Sequence, residues 1–217
     1  MVRINRIQRF LAVLVAALGL SGSTIVVTAT PALAYYSQGA ANYADYWAKG
    51  RNGNYPSFGS DCTNFVSQAV HEGGGYSYIG RNQSTTDNHL WWVSWSSTSG
   101  FRYSNSWIRV QDFYEFLILD YPGGWYQGTA PGTATYYWTP DTVVTGDVLF
   151  YDWDNNGIKD HASIQVGWGQ DPDSGWSGNY IDQHTTDRFH AFWSLRPYNS
   201  QYASTVITFM HIDYRNV

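Results

Sequence analysis

Cysteine is almost missing from this chain: Cys62 stands alone among 217 residues. A disulfide framework is therefore excluded, and the fold has to be held by a packed core. Basic residues are also few, with 12 Lys and Arg against 17 Asp and Glu, for a net charge of −5. An acidic surface repels phosphate backbones, which excludes nucleic acid as a natural partner. No His-Glu-x-x-His run and no cluster with zinc-ligand spacing occurs, so a metalloprotease site is excluded too. Repeats and low-complexity linkers are absent. What the chain does have is core material, with 43% hydrophobic and 18% aromatic residues.

The first residues have the grammar of an export signal. Arg3, Arg6 and Arg9 form a basic start, and residues 10–20 are apolar but too few to span a bilayer. Pro31-Ala32-Leu33-Ala34 offers an Ala-x-Ala cleavage site. The pattern predicts a signal peptide over 1–34 and one domain over 35–217, secreted and without a membrane anchor after cleavage. Removing the three arginines takes the net charge to −8.

The chemistry centres on the octet Asp61-Cys62-Thr63-Asn64-Phe65-Val66-Ser67-Gln68. A turn-rich run precedes it, and Phe65, Val66, Ala69 and Val70 then recur at helical spacing. Asp61 is a good N-cap, which puts Cys62 in the first helical turn. A helix start favours the thiolate, the nucleophilic form, whereas a bland reading makes Cys62 a small buried hydrophobe. An odd cysteine in a secreted chain favours the nucleophile.

Helices are predicted over 38–49, from 62 to the glycines at 73–75, and over 108–119. Residues 121–140 read as a long loop, one wall of a substrate groove. Short β-rich runs follow at 147–151, 161–168, 180–185 and 204–213, as in an antiparallel meander. Helices first and strands later predict an α+β fold, with the N-terminal helices packed on a C-terminal antiparallel sheet. Trp91, Trp92 and Trp95 cannot all face one way, so the core should take some and the surface the rest.

A thiol nucleophile needs a base and a group to orient that base. His161 opens a predicted strand just after a tight turn, which suits the base. His184 ends the next strand and could orient it; Asp182 and Gln183 could do the same. His71, His89, His190 and His211 read as structural. The turn itself, Asp152-x-Asp154-x-Asn156-Gly157-x-x-Asp160, matches nine positions of a calcium loop. Its twelfth position is Ser163 where such loops carry Glu, so a structural calcium here would be weak, and an acidic hairpin turn explains the run equally.

Together, the octet, the preceding Tyr55-Pro56-x-Phe58, the run Gly146-Asp147-Val148-Leu149-Phe150-Tyr151 before Asp160-His161, and Tyr180-Ile181-Asp182-Gln183-His184-Thr185 resemble the secreted amidase domain of Gram-positive bacteria. That domain is similar to the papain-like CHAP and NlpC-type cysteine peptidases and amidases. The resemblance covers about residues 38–190 and implies a papain-like fold with Cys62 as nucleophile, His161 as base and His184 as orienting residue. Asp182 and Gln183 stay open for that last role. Tyr55 and Asp61 would flank the substrate and oxyanion side, the Tyr55 hydroxyl acting as a second donor beside the Cys62 N–H. No cofactor is required. The implied reaction is amide hydrolysis through a thioester, and the implied partner is peptidoglycan or its peptides, outside the cell or at the wall. A silent wall-binding module or a thioester acyltransferase are the competing readings.

Overall fold

The computed structural model describes residues 35–119 and 123–212. The predicted signal segment, 1–34, lies outside them. Among the described residues no helix is long and apolar enough to cross a membrane.

The fold is α+β. Helix α1 (Ser37–Trp47) leads through a loop to α2 (Cys62–Gln68), which runs on as a π-helical turn (Ala69–Gly73). Strands β1 (Val93–Ser96) and β2 (Gly100–Tyr103) form a small hairpin. Two further helices follow, α3 (Asn105–Ile108) and α4 (Val110–Leu119). The remaining strands are β3 (Gly124–Pro131), β4 (Val148–Asp152), β5 (His161–Gln170), β6 (Ser177–Gln183), β7 (Arg188–Phe192) and β8 (Val206–Ile212). They build one antiparallel sheet in the order β3-β8-β4-β5-β6-β7.

Two expectations need correcting. The sheet is a meander only from β4 to β7; β8 returns to lie between β3 and β4. The 121–140 segment is also not simply a loop, because β3 occupies its first half. Its proline and glycines hid it. At a sheet edge, however, Pro131 can end the strand, and Gly128 (φ +115°) sits where the register slips past Tyr126. Edges and bulges are where strands tolerate these residues.

The sheet is covered on both faces, so its central strand reads as an unbroken apolar run. Val148 and Phe150 of β4 point to the helices, and Leu149 and Tyr151 point to a second cluster around Trp193 and Phe209. On the helix side Trp91, Trp107, Phe113 and Phe116 pack ring against ring, with Trp91 and Trp107 centroids 4.6 Å apart. Burying a Phe of this kind contributes about 1.5–3 kcal/mol. Trp92 is buried as well, and Trp95 of the same run is exposed.

Helix α1 reaches this core through small residues. A Cβ on Gly39 would fall on the Gly73 carbonyl oxygen, and one on Gly73 would fall on that of Gly39. The two backbones thus touch, and α1 and α2 together press on β5.

Candidate active site

The octet's polar residues are buried, and each has a structural partner. Asn64 Nδ2 donates to the Pro56 carbonyl and to Asp61 Oδ1, both at 2.8 Å, while its Oδ1 accepts from Trp107 Nε1 at 2.9 Å. Ser67 donates to the Trp107 carbonyl and accepts from Trp91 Nε1. Gln68 accepts from the Tyr43 hydroxyl. These bonds fix the start of α2 and with it the direction of Cys62.

Asp61 stands at the N-cap position, but its carboxylate makes no capping bond. It accepts instead from Phe58 N, Asn64 and Arg51 Nε, and Oδ2 lies 2.8 Å from His184 Nδ1. Its backbone N–H donates to Thr185 Oγ1 at 2.7 Å. The whole residue is a knot between the helix start and the β6–β7 tip.

Cys62 and His161 are brought together. Burial pushes the Cys62 thiol up most strongly, but the charge and hydrogen bond of His161, with smaller help from the Ala162 N–H and the Thr63 hydroxyl, outweigh it. The thiol ends below its ordinary value, at about 7. An imidazole within bonding reach of a thiol at a helix start is an arrangement that favours thiolate.

The other side of His161 decides its proton. Its Nε2 lies 2.9 Å from Gln183 Oε1, and Gln183 Nε2 donates to the Thr186 carbonyl at 3.0 Å. A carbonyl can only accept, so the Gln183 amide nitrogen must face Thr186 and its oxygen must face the ring. The ring nitrogen at that contact must then carry the hydrogen. Nδ1 is left for the sulfur. The Trp153 ring lies over the imidazole, with centroids 5.5 Å apart and planes at 21°. A cavity of about 150 Å³ opens beside His161 and Gln183, with Thr185, Arg188 and Tyr198 also on its wall. A larger hollow of about 500 Å³, between Tyr137, Trp168 and Trp176, contains none of the site residues.

The remaining sequence candidates lie elsewhere. His184 is buried against Asp61; its Nε2 is 3.0 Å from the Trp47 carbonyl, and its ring stacks on Phe65 at 4.0 Å. It orients the helix start and not His161. Asp182 points to the helix side, toward Asp45. The Tyr55 hydroxyl has one proton and gives it to the Glu72 carboxylate. That commitment removes it as a second oxyanion donor. In the acidic turn, carboxylate oxygens of Asp152, Asp154 and Asp160 converge within 4.8 Å. Asp152 already accepts from the amides of Asn156 and Gly157, and Asp160 from that of Trp153. The side chain of Asn156 accepts from Ile158 N, and Ser163 bonds the Tyr151 hydroxyl. The turn is closed by its own amides, with or without an ion.

Trp153 and the Arg51–Asp187 clamp, two bonds of 2.8 Å, were not singled out by sequence reasoning. Neither sits in a periodic pattern. The placement of Trp153 between two acids was the one available signal.

The family described as "Putative amidase domain" matches residues 34–207. The chain belongs to that family. It is similar to two uncharacterized proteins of Bacillus subtilis, YhbB at 28% identity over 83% of this chain and YjcM at 25% over 78%. The chain spans about half the length of the first, 51%, and 36% of the second. No solved structure matches it.

Proposed function

We propose that this amidase-family chain is a cysteine-dependent hydrolase of papain-like layout, related to the CHAP and NlpC-type enzymes. The observation that carries the reading is the chain Cys62–His161–Gln183–Thr186, in which each link dictates the proton position of the next. His161 Nδ1 takes the thiol proton, and the sulfur attacks an amide carbonyl. The oxyanion that forms faces the Cys62 N–H, which as a first-turn amide has no acceptor within the helix. His161 then returns its proton to the departing amine, leaving a thioester on Cys62. Water, losing a proton to His161, releases the acid and restores the thiol. Gln183 keeps the imidazole in the right tautomer, and Trp153 stacks against the ring. No step needs a metal.

The substrate we propose is an amide of peptidoglycan or its peptides, met outside the cell or at the wall. Support comes from the export pattern of residues 1–34 and from the likeness of the octet to secreted wall hydrolases. The test is the rate of iodoacetamide alkylation from pH 4 to 9. The thiol should react with a midpoint near 7, and His161→Ala should move that midpoint upward, since burial then acts without its counterweight. A thiol that stays inert until the protein unfolds would leave only the silent binding module.

A further inference from the structure

A second cluster of ligating groups, which includes neither Cys62 nor His161, lies on the helix side of the sheet. Asp45 of α1, Asp182 of β6 and His190 of β7 each bring one ligand atom to within 4.8 Å of the other two. Asp45 Oδ1 is 2.9 Å from His190 Nε2. Asp182 Oδ1 accepts the His190 backbone N–H at 2.7 Å, but Asp182 Oδ2 is buried with no hydrogen-bond partner. A buried carboxylate oxygen without a donor carries its full desolvation cost. Asp182 is completely shielded from solvent, and the second acid beside it adds repulsion.

The third ligand is preset. Tyr180 stacks on one side of the His190 ring at 4.0 Å and Phe189 lies at 3.6 Å, which fixes the imidazole's plane. The side chain of Asp45 is 38% exposed, so the cluster is reachable from water. One imidazole and two carboxylates form a mixed nitrogen and oxygen set. Such a set suits zinc and its first-row neighbours, whereas calcium asks for six to eight oxygens.

We propose that Asp45, Asp182 and His190 form a binding site for a divalent first-row metal ion, with zinc as the representative. The ion would supply the missing partner of Asp182 Oδ2. It would join α1 to β6 and β7 at one point, as a structural clip, and would leave the sulfur chemistry to Cys62 and His161.

The test is calorimetric titration of the full chain with zinc at neutral pH, in a Cys62→Ala background so that the sulfur cannot act as a ligand. One zinc per chain is expected, and at a hundredfold excess over the dissociation constant Tm should rise by roughly 5–10 °C. Asp182→Asn and Asp45→Asn should each weaken binding at least about tenfold. Asp45→Asn changes a helix-surface residue and keeps the test usable if the buried variant misfolds. Asp154→Asn, in the acidic turn, should leave zinc binding as it was. Binding that survives both cluster substitutions would overturn the proposal. So would the absence of zinc uptake together with an infrared band of a protonated carboxyl at neutral pH that Asp182→Asn removes, since a proton shared between Asp45 and Asp182 would then fill the gap.

Discussion

Gln183 Oε1 sits 2.9 Å from His161 Nε2, and the same amide is anchored by its nitrogen to the Thr186 carbonyl. The orientation of a glutamine thereby sets which nitrogen of a histidine on the neighbouring strand is free. A hydrogen bond to a group that becomes charged in the reaction is worth about 1.5–3 kcal/mol.

Gln183→Ala is therefore expected to lower kcat about 10- to 100-fold, by 1.36 kcal/mol per decade. The fold should be little changed. Gln183→Glu keeps an acceptor for the Nε2–H and should retain more activity than Gln183→Ala. A pH–rate profile of both variants checks this; an alkylation profile unchanged in Gln183→Ala would remove Gln183 from the site.

His184→Ala should behave differently. The ring fills a buried place on Phe65 and pairs with Asp61 at 2.8 Å. Arg51 remains as a partner for Asp61, so the loss should be about 2–3 kcal/mol. For a chain of this size that is a fall in Tm of roughly 5–10 °C. The alkylation midpoint of Cys62 should move less than in Gln183→Ala, and comparing the two profiles separates a structural from an orienting histidine.

Gly39→Ala tests the contact between α1 and the π-helical turn. The new methyl would meet the Gly73 carbonyl and the Tyr36 ring. Overpacking of this kind costs about 1–3 kcal/mol, and the clash is with backbone, so the upper end is expected. Thermal unfolding measures it; a Tm within about a degree of the parent would mean that α1 slides freely.

Asp152→Ala removes the acceptor for two turn amides, those of Asn156 and Gly157, at a residue that is 2% exposed. The expected loss is about 1–3 kcal/mol, read in urea unfolding, and amide exchange at Asn156 and Gly157 should speed up. Slow exchange at both positions in the variant would show that the turn closes without this carboxylate.

The start of α2 and the strand after the acidic turn were legible because both are marked locally. One follows a turn-rich run and has helical spacing, and the other is a β-branched run behind Asn-Gly. Cys62 and His161 could thus be named from sequence, and the structure brings them together. The choice among Asp182, Gln183 and His184 was not legible, for a geometric reason. Side chains alternate across a strand, so a slip of one residue reverses every face. The register pairs Ile164 with Asp182, which puts Gln183 opposite Ser163, two residues from His161 and on its face. Asp182 and His184 therefore look the other way, toward the helices. No pattern within 180–185 reveals that parity; it is set by pairing with β5 and by β7, a strand that sequence periodicity did not show. Edge strand β3 was hidden for a related reason, since an edge tolerates the very residues that mark loops.

Three consecutive residues at the end of β6 touch three different parts of the site. Gln183 holds the imidazole, His184 holds the Asp61 carboxylate, and Thr185, in a left-handed conformation at φ +56°, receives the Asp61 amide. The start of the Cys62 helix and the His161 ring are thus gauged from one short piece of chain. Any motion of that tip displaces both members of the proposed catalytic pair at once. Catalysis in such an enzyme should fade as a local event, at temperatures where the sheet is still intact.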